Sequence, residues 1–271
     1  MAKPIIKWSG GKQRLVVQLT AALPADIAQR RHVELFAGGA SLLLSCAPLK
    51  GWLSDANPHL ISMYRAVCRT PQLVMQELAT LRDAHAKVHY YYIRDRFNQN
   101  HGSSEERAAM FIYLNQTCYN GLWRVNRKGE FNVPLGDYKK PNIYDEARIN
   151  EAASVLQNVA LTIGSFADQT SQITADDFVY LDPPYAPISA GSFVSYTSGG
   201  FTMDDQVALR DAVVAMTATG AKVMLTNSDT IDVRELYKDF ILDTVSTVRS
   251  ISRNTDQRGK ISELLVRNYA D

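Results

Sequence analysis

Several things are scarce in this chain, and each scarcity removes a class of protein. There are three cysteines in 271 residues, Cys46, Cys68 and Cys118, and no CxxC pair, so neither a disulfide framework nor a cysteine zinc site is expected. No apolar run approaches the ~18 residues of a membrane span, and the N-terminus lacks a signal-peptide core; a cytoplasmic protein is the expectation. His32, His59, His85, His89 and His101 show no ligand spacing, and no metal is assigned. Net charge is only +1, so bulk charge does not announce a polyanionic partner. Repeats and low-complexity tracts are missing, and so is the GxGxxG of a dinucleotide site.

What is present is an ordinary globular balance, 46% hydrophobic and 21% charged, enough for a sizeable core in one large α/β domain or a domain with an insertion. Short apolar runs read as buried strands: HVELFA (32–37), GWLSD (51–55), VALTIG (159–164), FVYLD (178–182), KVMLTN (222–227), FILDTV (240–245) and ELLVRNY (263–269). Helical patterns alternate with many of them. Residues 12–23 place Leu15, Leu19 and Leu23 on one face and stop at Pro24; residues 202–219 begin with a capping-box-like TMDD and end at Gly220. The alternation predicts a doubly wound, mainly parallel α/β sheet of seven strands. From about 57 to 145 it stops. Helical patterns there lead into the polar, aromatic segment YNGLWRVNRKGEFNVPLGDYKKP (119–141), which predicts a mostly helical insertion ending in a loop or hairpin. The predicted division is a catalytic domain, 1–56 with 146–271, and an inserted recognition subdomain, 57–145.

Local charge is more informative than net charge. Over 119–140, Arg124, Arg127, Lys128, Lys139 and Lys140 face only Glu130 and Asp137, and a second basic stretch covers 249–260. Both could meet phosphates; taken singly, both also read as solvated loops.

Three motifs carry chemistry. VELFAGGAS (33–41) is a strand followed by small residues, where Gly38 lets the backbone turn and a ligand approach. Asp55, at the end of the next strand, suits ribose hydroxyls, although alone it could merely cap a helix. Without a pyrophosphate fingerprint, an adenosine cofactor lacking phosphate fits better, and S-adenosylmethionine (SAM) is the obvious one. KWSGGKQRL (7–15) leaves Lys12 at a helix start, where a cation is unfavourable for the helix dipole, so Lys12 is assigned to a ligand carboxylate. DPPY (182–185) ends a strand in a stiff turn. Its carboxylate and the adjacent Pro183 carbonyl could hold an exocyclic amine such as adenine N6 through its two hydrogens. Pro183 and Pro184 would preorganise them, and Tyr185 would offer a ring face to the base.

K-W-S-G-G-K, F-A-G-G-A-S and D-P-P-Y, in that order with the insertion before DPPY, resemble the DNA adenine methylase family, the α group of amino-methyltransferases. The likeness continues through 119–141, GFTMDD (200–205), TNSDT (226–230) and RSISR (249–253), nearly the whole chain. It implies a Rossmann-like SAM-dependent fold, a monomer in solution, and transfer of methyl to adenine N6 in duplex DNA by base flipping, at GATC. It implies SAM contacts from Trp8, Lys12, Phe36, Ala37, Gly38, Asp55, Phe166 and Asp182, and catalysis at Asp182, Pro183, Pro184 and Tyr185. DNA contacts would come from Lys7, Tyr119, Asn120, Leu122, Arg124, Asn126, Tyr138 and Lys139. Asp137 departs from the family, which carries a basic residue there. An amino-methyltransferase acting on RNA or glutamine, and a silent DNA-binding module, are the other readings; the intact DPPY argues against the second.

Overall fold

The computed structural model describes residues 1–185, 201–248 and 260–270. Its sheet has seven strands: β1 (Arg31–Glu34), β2 (Gly51–Asp55), β3 (Val159–Ile163), β4 (Asp177–Leu181), β5 (Lys222–Ser228), β6 (Ile241–Val248) and β7 (Lys260–Arg267). The order is β3-β2-β1-β4-β5-β7-β6. β1 to β5 pair in parallel, and β7 runs antiparallel between β5 and β6. Every strand read from the sequence is found, with ends shifted by up to a few residues. β1 stops earlier than expected because Ala37 already turns back to bond the Ser54 carbonyl.

The central strands explain the apolar runs. β4 is buried along its whole length, as a parallel strand covered on both faces should be. Side chains alternate: Val179 and Leu181 enter a cluster with Val33, Leu209 and Val213, while Phe178 and Tyr180 enter another with Leu19 and Met224. The chain winds outward from β1 through β2 to β3 on one side, and from β4 to β5 on the other. The crevice between the carboxyl ends of β1 and β4 is therefore the topological switch point, where such sheets bind ligands.

Ten helices accompany the described strands: α1 (Val16–Ala21), α2 (Ser41–Cys46), α3 (Pro58–Arg69), α4 (Pro71–Asp83), α5 (Lys87–Asn98), α6 (Ser104–Thr117), α7 (Glu146–Leu156), α8 (Phe166–Gln169), α9 (Met203–Ala218) and α10 (Ile231–Leu236). Their starts follow local chemistry. Asn57 caps α3 by accepting from His59 and Leu60 N–H, with Pro58 in the first turn; Ser103 with Glu106 and Thr202 with Asp205 form reciprocal capping boxes for α6 and α9. α9 is followed by Gly220 at φ +89°, as its sequence suggests. The helix expected over 12–23 is a correction. A 3-10 turn at Lys12–Arg14 precedes α1, and Leu15 N–H bonds the Lys12 carbonyl. The first turn is tightened where the Lys12 side chain is drawn inward onto the Gly10 carbonyl at 2.6 Å.

Between β2 and β3 lie α3 to α7. One apolar cluster runs from Ile5, Leu43 and Leu53 through α3, α4 and α6 to Leu156, so this layer shares its core with one face of the sheet. α6 sits at its centre, buried on all sides from Ala108 to Thr117. The polar groups at its end are satisfied. Asn115 Oδ1 accepts from Lys7 N–H at 2.8 Å, and its Nδ2 donates to the Lys7 and Gly121 carbonyls. Gln116 Nε2 donates to the Ile5 carbonyl. α6 thereby ties the N-terminal segment to the start of the loop at 119–121. No helix among the described residues is long and apolar enough to cross a membrane.

Candidate active site

The crevice at the switch point is a cleft of about 1070 Å³. The loop after β1 forms its floor. Gly38 has φ +44°, and a Cβ there would come within 2.8 Å of Trp8 Cδ1, so glycine is required both by conformation and by the indole packed against it. Tyr64 OH donates to the Gly38 carbonyl at 2.8 Å and fixes the turn from below. Asp55, at the end of β2, accepts from Gly38 N–H (3.2 Å) and Asn57 N–H (2.8 Å). Burial raises its pKa, and the backbone N–H groups of Asn57, Gly38 and Ala37 oppose that rise. On one wall Phe36 stacks on Phe166, at 5.5 Å between centroids and 29° between planes, and Phe201 closes edge-on against Phe36.

The DPPY turn begins directly after β4. Asp182 Oδ1 lies 2.7 Å from Lys12 Nζ and accepts from Thr226 Oγ1 at 3.1 Å. No other hydrogen bond to the Asp182 carboxylate is made among the described residues, which leaves Oδ2 as an acceptor. Burial raises the Asp182 pKa, with Lys12 and then Thr226 pulling the other way. Lys12, only 4% exposed, also lies 4.7 Å over the Tyr185 ring. Tyr185 OH donates to Glu263 Oε2 at 2.6 Å, and that oxygen is 3.8 Å from Lys12 Nζ. Glu263 is raised by burial and by Asp182, against Lys12 and Tyr185. Gln206 Nε2 holds the Pro184 carbonyl at 3.2 Å, and Asn227 in turn holds Gln206. Among the described residues no donor is paired with the Pro183 carbonyl.

Trp8, Lys12, Phe36, Ala37, Gly38, Asp55, Phe166, Asp182, Pro183, Pro184 and Tyr185 all line this one cleft. Leu122, Arg124 and Asn126 line it too, from the segment after α6. That segment is a short hairpin: Asn132 N–H bonds the Arg124 carbonyl, Asn126 N–H bonds the Glu130 carbonyl, and the bridges Cys118–Leu135 and Val125–Phe131 are antiparallel. Tyr119, Asn120, Tyr138 and Lys139 are exposed beside it, outside the cleft.

Several placements depart from expectation. The sequence reading gives Lys12 a free ammonium for a ligand carboxylate, but it is committed to Asp182 and the Gly10 carbonyl. Lys7, expected as a DNA contact, donates Nζ to the Gln116 carbonyl at 3.0 Å and lies over the Tyr138 ring; burial lowers its pKa. Leu122, expected as a DNA contact, is half-buried and packs on the helical core. Leu122 and Arg124 stand on the hairpin's arm; the tip is Arg127–Gly129. Asn126 is the turn's organiser: its Oδ1 accepts from Lys128 and Glu130 N–H, and its Nδ2 bonds Glu130. The basic stretch 249–260 lies outside the described residues, apart from the backbone of Lys260.

Glu263, Thr226, Gln206 and Phe201 were missed by sequence reasoning. Glu263 leaves a trace: it is a carboxylate heading an otherwise apolar run, ELLV. Among the described residues no three His, Cys, Asp or Glu side chains are arranged to hold a metal.

A sequence profile described as D12 class N6 adenine-specific DNA methyltransferase matches residues 8–251. The chain is 39% identical to the type II methyltransferase M.MjaIII of Methanocaldococcus jannaschii, over 98% of this chain and 99% of that one. It is 38% identical to the DNA adenine methylase of Escherichia coli K12, over 97% and 94%, and 37% identical to that of Vibrio cholerae, over 97% and 95%. The chain belongs to the D12 class of N6 adenine-specific DNA methyltransferases.

Proposed function

We infer that the chain transfers a methyl group from SAM to N6 of an adenine flipped out of duplex DNA, at GATC. The observation that carries this reading is the open Oδ2 of Asp182. It lies in the same cleft as Asp55 and the Phe36–Phe166 pair, with the Arg124 hairpin on the rim.

The residues present suit SAM by the chemistry of their groups. A buried carboxylate at the end of β2 suits ribose hydroxyls, the stacked phenylalanines suit an adenine, and the acidic end of the cleft at Asp182 suits a cation. When bound, SAM supplies an electrophilic methyl on a sulfonium. The protein's own part is to hold the target amine. Lys12 and Thr226 fix Asp182 through Oδ1, so that Oδ2 and the Pro183 carbonyl are the acceptors for the two N6 hydrogens. That draws the nitrogen lone pair out of the ring and aims it. The proline turn and the Gln206–Pro184 bond keep these acceptors fixed before the base arrives, so little reorganisation is needed. Tyr185 receives the base on its ring.

Extruding the adenine costs a few kcal/mol of stacking and pairing. Tyr119, 53% exposed, and Tyr138, 37% exposed, are the aromatic groups placed to fill the gap, ahead of the half-buried Leu122. Residues 57–145 serve as the recognition region on this reading, and 1–56 with 146–271 as the catalytic part, working as a monomer on DNA in the cytoplasm. GATC is carried by the family resemblance of the 119–141 segment. The test is methylation of plasmid DNA by the purified chain, with sequencing of modified sites. N6-methyladenine confined to GATC is expected. Modification at another sequence removes the GATC assignment, and none at all removes the reading.

A further inference from the structure

Tyr185 is held by a residue far from its own motif. Its hydroxyl donates to Glu263 Oε2 at 2.6 Å, across 78 positions of sequence. The topology makes this contact possible. β7 is antiparallel to β5, so the start of β7 lies at the edge where the parallel strands end, with Glu263 paired with Ser228, the last residue of β5. A carboxylate early in an antiparallel strand is thereby delivered to the catalytic edge. Glu263 is 15% exposed, and its same oxygen faces Lys12 Nζ at 3.8 Å. Lys12 in turn covers one face of the Tyr185 ring and grips Asp182.

A tyrosine ring turns about two side-chain bonds. Here its hydroxyl end is fixed by Glu263 and one face by the Lys12 ammonium, which leaves the opposite face for a base. We propose that Glu263 is a positioning residue for methyl transfer: its carboxylate fixes the Tyr185 ring and steadies the Lys12 ammonium that orients Asp182. The base-stacking face and the amine acceptor are thus aimed from one anchor. This inference rests on the functional reading above. Misplacing a reacting group by about 1 Å can cost on the order of a hundredfold in rate, so the anchor affects the chemical step rather than binding.

The experiment compares wild type, Glu263→Ala, Glu263→Gln, Tyr185→Phe and the Glu263→Ala/Tyr185→Phe double variant. Single-turnover methylation of a duplex is measured alongside SAM affinity by calorimetry. Stacking is followed with 2-aminopurine at the target position. Glu263→Ala is expected to lose at least about tenfold in kcat, with KM for the duplex and SAM affinity within about twofold. Glu263→Gln, which keeps an acceptor oxygen for the hydroxyl, recovers most of the loss. Tyr185→Phe resembles Glu263→Ala, both change the 2-aminopurine signal, and the double variant falls little further. Turnover within twofold of wild type in both Glu263 variants overturns the proposal, and so do fully multiplicative losses in the double variant. If Glu263→Ala fails to fold, Tyr185→Phe and Glu263→Gln decide: an unimpaired Tyr185→Phe overturns the proposal. A wild-type chain that methylates no duplex overturns the functional reading and this inference together, whereas active wild type with unaffected variants overturns this inference alone.

Discussion

The strand-end cluster and the hairpin after α6 use polar side chains in opposite ways. Asp182, Lys12 and Glu263 are drawn out of water, with side chains 21%, 4% and 15% exposed. Burial there raises the pKa of the Asp182 and Glu263 carboxyls and holds groups still. Arg124, Arg127, Lys128 and Lys139 stand in water on a segment whose internal bonds are made largely by asparagines. Chemistry needs preorganised groups in a site shielded from solvent; recognition needs reach and charge that can be remade on a partner. Changes in the cluster should therefore alter rate and pH dependence, and changes in the hairpin should alter sequence choice.

The largest effect is expected at Asp182. Asp182→Ala removes the acceptor Oδ2 and should lower single-turnover methylation by on the order of 10²–10³, in the manner of a lost preorganised electrostatic group. Asp182→Asn keeps one acceptor oxygen and should fall between. Turnover within about tenfold of wild type in Asp182→Ala would show that the amine is held elsewhere.

The same cluster sets a pH signature. Burial raises the Asp182 pKa, so the ionised acceptor, and with it activity, should disappear on acidification above the ordinary carboxylate range. Lys12 is the chief group lowering that pKa, so Lys12→Gln should move the acid limb of kcat/KM to higher pH. Stability runs the other way. Raised folded-state values at Asp182 and Glu263 mean that their contribution is present below the unfolded carboxylate pKa and is lost as pH rises through the folded values. Unfolding and activity profiles on one pH axis should therefore slope oppositely across that window. An acid limb that is unmoved in Lys12→Gln would remove Asp182 as the titrating group.

Asp55 should give the next effect, on affinity rather than rate. Losing charge-assisted hydrogen bonds costs about 1.5–3 kcal/mol, or roughly tenfold to a hundredfold in SAM binding for Asp55→Ala. Part of that loss would come from the Gly38 turn, which Asp55 also holds. Unchanged affinity by calorimetry would remove the ribose assignment.

The sheet and α9 were legible because their signals are local: apolar runs at strand length, Thr202 at a helix start and Gly220 at a helix end. Asp182 and Asp55 were legible for the same reason, since each stands at the end of its own apolar run. Glu263 was not, because its place in the site depends on β7 entering the sheet antiparallel beside β5, and Thr226 was not, because its contact with Asp182 depends on β5 lying beside β4; no local pattern encodes either pairing. Lys12 was recognised as out of place at a helix start, yet its partner lies 170 positions away in the sequence, and the spacing gives no hint of the pair. The hairpin's charges were visible in the sequence, but the asparagine bonds that arrange them were not.

Arg124 should have the smallest effect on rate at the correct site and the most selective one. Its Nε donates to Asn132 Oδ1 at 2.8 Å and its Nη2 to the Asn132 carbonyl at 3.3 Å, on an exposed arm at the cleft rim. A guanidinium so placed can exchange Asn132 for guanine O6 and N7 in the major groove, a bidentate contact worth about 1–3 kcal/mol of discrimination. If the site is GATC, the guanine opposite the final cytosine is its target. Arg124→Ala should then methylate sites altered at that base pair nearly as well as GATC, while discrimination at the other positions is kept. Arg124→Lys keeps the charge but lacks the planar fork, so it should resemble Arg124→Ala in specificity and wild type in salt dependence. A role confined to phosphate predicts the reverse, with uniform weakening on every sequence in Arg124→Ala and rescue by lysine. Comparing kcat/KM on GATC and on each singly substituted duplex separates the two, and undiminished discrimination at the fourth position in Arg124→Ala would exclude a base-reading role.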